Sequence, residues 1–201
     1  MEFDSFLSAI SGAVIGGVLT GYFTLKATNK TYEHQKAHIK ESEEQLIKGL
    51  LQSIHDEIET VFERYQDTMG TRIELLKMGE ALAFYYPLVS DFFSVYNGNS
   101  FLIGRIPDND LRKKIIKTYT LAKGMTDSFR LNNDLVGKWE FAEKLFAESQ
   151  SETHKRQAIA HYHALVEYAA TLKEMHHILK SEAHSLLREL RKAGVLDERN
   201  N

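Results

Sequence analysis

The feature that most constrains this chain is a run of twenty residues without a charge, from Phe6 to Leu25. As a helix, at 1.5 Å per residue, such a run extends over about 30 Å, the thickness of the hydrocarbon core of a bilayer. A secretory signal peptide has a basic start and a shorter apolar core, whereas Glu2 and Asp4 precede this run. We therefore predict a transmembrane helix, with residues 1–28 forming a retained membrane anchor.

The distribution of basic residues predicts the orientation of that anchor. No Lys or Arg precedes the run, and lysines follow it at positions 26, 30, 36 and 40. Basic residues favour the cytoplasmic side of a span. We therefore expect a single-pass protein of the cell inner membrane, with the N-terminus outside and residues 29–201 in the cytoplasm. The alternative is that residues 6–25 form a buried core helix of a soluble protein.

Small residues within the run recur every four positions and form two adjacent rows on one helix face. One row is Ser8, Gly12, Gly16 and Thr20, and the other is Ala9, Ala13, Gly17 and Gly21. Such spacing lets two helices approach closely in lipid, where packing drives association. It predicts a homo-oligomer formed through the transmembrane helix, unless these rows face lipid.

Composition limits the class of the remaining sequence. A hydrophobic content of 43% with 26% charged residues is typical of a folded protein, and a net charge of −3 gives no general attraction to nucleic acid. The absence of cysteine excludes disulfides, thiolate nucleophiles, and sulfur-ligated zinc or iron–sulfur sites. Two prolines and twelve glycines are too few for a fold of many short strands. The chain should be mostly helical.

Three stretches after the anchor show the periodicity of long amphipathic helices. The first helix spans about residues 29–79, and Gly70 or Gly79 could kink or end it. The second begins after Pro107, where Asp108 or Asn109 can cap it, and ends near Ser149. The third runs from about Glu152 to a stop at Gly194. Their apolar seams are Ile47, Leu51, Ile54, Ile58, Val61 and Tyr65; Leu111, Ile115, Thr118, Ala122, Met125, Phe129, Asn132 and Val136; and Leu165, Ala169, Leu172, His176, Leu179, Ala183, Leu186 and Leu190.

These seams predict an all-α fold. The N-terminal transmembrane helix continues into a cytoplasmic domain of residues 29–201, an antiparallel bundle or coiled coil of long helices. An aromatic-rich connection near residues 84–106 separates the first two soluble helices. We expect its aromatic side chains to plug the end of the bundle. Two alternatives are insertion at the membrane interface and a second span over residues 81–103, which Pro87 and Asp91 make costly.

Signatures of common enzymes are absent: the sequence has no phosphate-binding glycine loop, no HExxH and no GxSxG. His34 and His38 share a helix face and Glu174 with His177 forms one ExxH, but carboxylate-bridged metal bundles need more ligands, so we predict no metal or cofactor. His176, on the third seam, is expected to be a hydrogen-bonded core histidine. Arg156 and His161 resemble the Arg-x4-His signature of HEPN-type ribonucleases, which implies a membrane-tethered ribonuclease with these two catalytic residues.

The segment VYNGNSFLIGRIPDNDLRKKIIKTYTLAKGMTDSFRLNN, residues 95–133, with the span before it and the helix after it, resembles small bacterial single-span membrane proteins. Proteins of this build occur as effectors in phage-defence cassettes such as retrons, and the resemblance brings no catalytic residues. It implies a non-enzymatic membrane effector or interaction protein, acting as a toxin in antiviral defence and held or triggered by a protein partner on its bundle. The ribonuclease is the alternative.

Overall fold

Long helices make up most of the computed structural model, which describes residues 2–88 and 92–194, with side chains from residue 20 onward. Helix α1 spans Glu2–Tyr65, followed by a π-helical turn at Gln66–Gly70 and by α2 at Thr71–Leu75. Two short helices, α3 at Ser94–Gly98 and α4 at Ser100–Ile103, precede α5 at Asn109–Ser149 and α6 at Glu152–Lys192. No strand occurs in the described residues, so the all-α prediction is confirmed.

The ends of α5 and α6 follow from local capping chemistry, and the cap at Asp108 and the stop at Gly194 are the ones that the sequence predicts. The Asp108 side chain accepts hydrogen bonds from the backbone N–H groups of Asp110 and Leu111, at 2.9 and 3.0 Å. Gln150, with a φ of 53°, ends α5 in the left-handed region, and the Ser151 side chain caps α6. Gly194, with a φ of 74°, stops α6.

By its internal contacts the chain divides into two units, residues 1–46 and residues 47–201. In the first unit, residues 2–46 have a helical backbone, and every side chain from Thr20 to Leu46 is exposed. Among the described residues, no helix is long and apolar enough to cross a membrane. Residues 6–19, which make up most of the predicted span, have side chains outside the described part.

The second unit is a bundle in which α6 runs antiparallel to both other long helices. Lys114 near the start of α5 donates to Ser185 near the end of α6 at 3.0 Å. Ser128, later in α5, donates to the sulfur of Met175, earlier in α6, at 3.2 Å. Tyr65 at the end of α1 likewise meets His176 in the middle of α6. Helices α1 and α5, however, run parallel, since Glu57 meets Tyr119 and Tyr65 meets Phe129. The predicted antiparallel arrangement therefore holds for α6 but not between α1 and α5.

The predicted seams form the core. Every residue of the α6 seam is buried, and so are the α5 seam residues apart from the half-buried Ala122. On α1, Ile47, Leu51, Ile54 and Ile58 are buried, while Val61 and Tyr65 are half-buried. Two apolar clusters result, one around Ile54, Ile115 and Leu186 and the other around Phe62, Phe129 and Leu172.

The aromatic connection lies along the side of the bundle, which corrects the prediction that it plugs the end. The backbone N–H of Tyr86 donates to the side chain of Asn133 in α5, and the Phe93 ring packs against Tyr119. Arg112, near the start of α5, donates to the carbonyl oxygen of Ile106. Because α1 and α5 run parallel, the segment between them must return from the end of α1 to the start of α5 along the length of the bundle. A second span is also wrong, because described residues 81–88 and 92–103 contain only helices of five and four residues.

Candidate functional site

The predicted transmembrane packing rows fall largely on residues whose side chains lie outside the described part. These are Ser8, Ala9, Gly12, Ala13, Gly16 and Gly17, and the backbone there is helical. Thr20 and Gly21, which end the two rows, can be described. Thr20 is exposed, and a Cβ added at Gly21 would have no described atom within 4 Å. This end of the rows is open surface in the single chain.

Arg156 and His161 both lie near the start of α6. Arg156 is exposed and its Nε donates to the carbonyl oxygen of Glu152 at 3.3 Å, while His161 is half-buried. Five residues correspond to about 140° around a helix. Within one chain, the two side chains therefore leave α6 in different directions and do not converge on one point.

The histidines considered as metal ligands do not join a larger group of ligands in the described residues. Within the described part, no group of three or more His, Cys, Asp or Glu side chains could hold a metal ion. His34 and His38 lie on the exposed stretch of α1, and Glu174 and His177 lie on α6.

The structure instead brings together a polar network around the buried His176, which connects α1, α2 and α6. His176 is fully buried, as expected for a core histidine. Its Nε2 lies 2.9 Å from Oε1 of Glu74, and its Nδ1 lies 2.7 Å from the hydroxyl of Tyr65. A carboxylate only accepts hydrogen bonds, so Nε2 donates to Glu74 and Nδ1 accepts from Tyr65. Lys180 also donates to Glu74, at 2.6 Å.

The protonation states in this network follow from burial and from these hydrogen bonds. Burial lowers the pKa of His176, against the opposing effect of Glu74. Hydrogen bonds from Lys180 and then His176 lower the pKa of Glu74 to about 2. Burial raises the pKa of Tyr65 above its usual value. Both shifts favour the neutral forms of Tyr65 and His176, in which the hydrogen bonds of this network connect α1, α2 and α6.

The π-helical turn positions this network. In it, the Thr71 backbone N–H reaches the carbonyl oxygen of Gln66, five residues back. The Gln66 side chain folds over Gly70, where an added Cβ would lie only 2.5 Å from Oε1 of Gln66. That packing directs Nε2 of Gln66 to Glu74 at 3.1 Å. A larger residue at position 70 would require the Gln66 amide group to shift. The sequence indicates this site through His176, predicted as a hydrogen-bonded core histidine, and through Gly70, predicted as a kink or end, but it does not indicate Glu74 or Gln66.

An apolar cleft of about 220 Å³ adjoins the network. Its lining is mainly aliphatic and aromatic and includes Ile58, Val61, Tyr65, Met125 and Phe129. Tyr65, whose hydroxyl bonds His176, is thus part of both the network and the cleft lining. The cleft offers apolar contact area and no converging set of catalytic groups.

Two further polar clusters, neither predicted from the sequence, fix the connection and the end of α6. Glu57 accepts hydrogen bonds from the backbone N–H groups of Val95 and Tyr96, at 2.7 and 3.1 Å, and from the Tyr119 hydroxyl at 2.7 Å. Buried His55 accepts from Nε of Arg191 at 3.2 Å, and the same arginine pairs with Glu59. These partners are too distant in sequence for spacing to reveal them.

Comparison of the chain with protein-family models, with curated proteins and with solved structures finds no match.

Proposed function

We propose that this protein is a membrane-anchored, non-enzymatic effector that self-associates through the helix of residues 6–25. The observation that carries the proposal is the uncharged run with its two rows of small residues, which occupies the start of a 64-residue helix. Close packing of such rows is a means of association in lipid, where apolar surface alone does not drive helices together. The basic flank after Leu25 supports a cytoplasmic bundle with the N-terminus outside.

The bundle supplies a surface for a protein partner that holds or triggers the effector. Three large apolar side chains between α1 and α5 are strongly exposed: Leu75 at 74%, Met78 at 97% and Phe101 at 71%. Large apolar side chains with this exposure provide contact area that a protein partner can cover. In this proposal, release of the partner permits the anchors to assemble and damage the membrane, as a toxin of a bacterial antiviral defence system.

The non-enzymatic interpretation is supported by the site geometry. The pKa shifts at Tyr65 and His176 favour the neutral forms of both groups, and Arg156 and His161 point away from each other on α6. The competing function, a tethered ribonuclease, requires that purified protein cleave RNA and that Arg156→Ala and His161→Ala abolish the cleavage.

Fractionation and reporter fusions test the anchor. We expect the full chain to remain with membranes after a high-salt wash and to need detergent for extraction, because residues 6–25 are inserted. A reporter after Asn201 should behave as cytoplasmic and one before Met1 as external. Recovery of the protein in the salt-washed soluble fraction would contradict the anchor, and an external C-terminal reporter would contradict the orientation.

A further inference from the structure

We propose that residues 25–46 of α1 form a parallel, in-register coiled coil with the same residues of further copies of this chain. The proposal rests on the membrane anchoring proposed above, which gives all copies one orientation. It adds a second interface, which begins at the last residue of the predicted span, to the packing of the small-residue rows.

The first observation is an apolar residue at every seventh position of an exposed helix. Leu25, Tyr32, Ile39 and Leu46 are between 48% and 67% exposed, and the helix is unbroken between them. A strict seven-residue repeat is the period of a left-handed coiled coil; on a straight helix the four residues would drift by about 20° per repeat. If these four residues occupy heptad position a, then Thr28, Gln35 and Ser42 occupy position d. Large apolar residues at a then alternate along the seam with uncharged polar residues at d.

The second observation is that all charges between Leu25 and Leu46 avoid this seam. The eight Lys and Glu residues of the stretch occupy positions b, c, e and f, and none occupies a, d or g: Lys26, Lys30, Glu33, Lys36, Lys40, Glu41, Glu43 and Glu44. Lys40 and Glu44 pair at 3.7 Å on the outer face. Across a parallel pair, position g of one copy meets position e of the next heptad in the other, which brings Thr31 to Lys36 and His38 to Glu43. No like charges meet.

The third observation is the shape of the face. A shallow depression on α1 is lined by Thr28, Thr31, Tyr32 and Gln35, together with Thr24 and Ala27. The first four residues have the spacing i, i+3, i+4 and i+7, the outline of a hole in knobs-into-holes packing. In heptad terms they are positions d, g, a and d, the hole that receives an a-position side chain in a parallel coiled coil. Tyr32 of a second copy is the side chain that this register places there.

Cysteine cross-linking tests the proposal directly, because the natural chain contains no cysteine. Full-length variants with one cysteine at an a position, Leu25→Cys, Tyr32→Cys or Ile39→Cys, are oxidised in native membranes and compared with Ala37→Cys at position f. All four positions are exposed in the single chain, so the bundle does not depend on them. We expect several-fold more cross-linked product at each of the three a positions than at residue 37.

Three outcomes decide between the possibilities. Equal cross-linking at residues 37 and 39, or none at the a positions while Gly16→Cys cross-links, overturns the coiled coil but leaves the anchor in place. Cross-linking at only one a position indicates an antiparallel or staggered contact and overturns the parallel register. The full heptad pattern in protein that a salt wash removes from membranes supports the coiled coil and overturns the proposed anchor instead.

Discussion

His176 shows how a single buried side chain can join three elements. It receives a hydrogen bond from Tyr65 at the end of α1 and donates one to Glu74 of α2, while its own backbone belongs to α6. Each ring nitrogen has a partner, so the buried imidazole is satisfied in its neutral form. Its place on the α6 seam could be predicted from heptad spacing. Its partners could not, because Tyr65 and Glu74 lie more than 100 positions away.

This network should make the bundle sensitive to acid. The folded-state pKa of His176 is lowered, so the unfolded chain binds a proton more readily and stability falls as pH drops below the ordinary histidine pKa of about 6.5. Glu74, with its pKa lowered to about 2, adds stability that is present above the ordinary value of 4.5 and is lost between there and about 2. We expect the free energy of unfolding to decrease from pH 7 to pH 5.

Urea unfolding of the full chain at both pH values measures this effect. His176→Gln should reduce the slope between pH 7 and 5, whatever its effect on stability at pH 7, while the loss below pH 4.5 due to Glu74 remains. His163→Gln, on the exposed side of α6, is the matched control and should leave the slope unchanged. A wild-type protein that becomes more stable from pH 7 to 5 would contradict the assignment.

At the scale of elements, the long helices could be predicted because their signals are local. Asp108 caps α5, Ser151 caps α6 and Gly194 ends it, each within a few residues of the helix it bounds. The π-helical turn and the path of the connection could not be predicted in this way. Glu57 holds α3 through backbone groups 38 and 39 residues away, and no spacing rule in the sequence marks it.

The α6 seam permits a quantitative prediction for one element. Leu172 is fully buried, so Leu172→Ala removes packed methyl groups and leaves a cavity, and should lower the free energy of unfolding by about 2–5 kcal/mol. Ile178, on the same helix, is 45% exposed, and Ile178→Ala should cost less than about 1 kcal/mol. Chemical denaturation of both variants measures the difference. Equal losses would mean that the seam of α6 does not face the core.

At the scale of the whole molecule, helix direction was beyond sequence analysis. A heptad seam can pack against a parallel or an antiparallel helix. The parallel orientation of α1 and α5 therefore follows only from contacts such as that between Glu57 and Tyr119. That direction determines the path of the aromatic connection along the bundle. Buried Phe93 against Tyr119 and buried Leu82 near Asn132 are consequences of this path.

The central claim, that the chain acts by packing its anchor helices together, predicts opposite effects on insertion and function. Gly16→Ile places a branched side chain in a small-residue row, which holds helix backbones apart although it makes the span more apolar. Val18→Ile adds a methylene on the opposite face and is the matched control. A tethered enzyme would tolerate both changes, because any well-inserted helix can serve as its anchor.

The most direct measurement scores growth arrest on induced expression in bacteria, together with the amount of detergent-extracted protein, for wild type, Gly16→Ile and Val18→Ile. We predict that Gly16→Ile loses toxicity at normal membrane abundance while Val18→Ile keeps it. Unchanged toxicity of Gly16→Ile at equal abundance, with loss in Arg156→Ala and His161→Ala, would contradict the account and favour the ribonuclease.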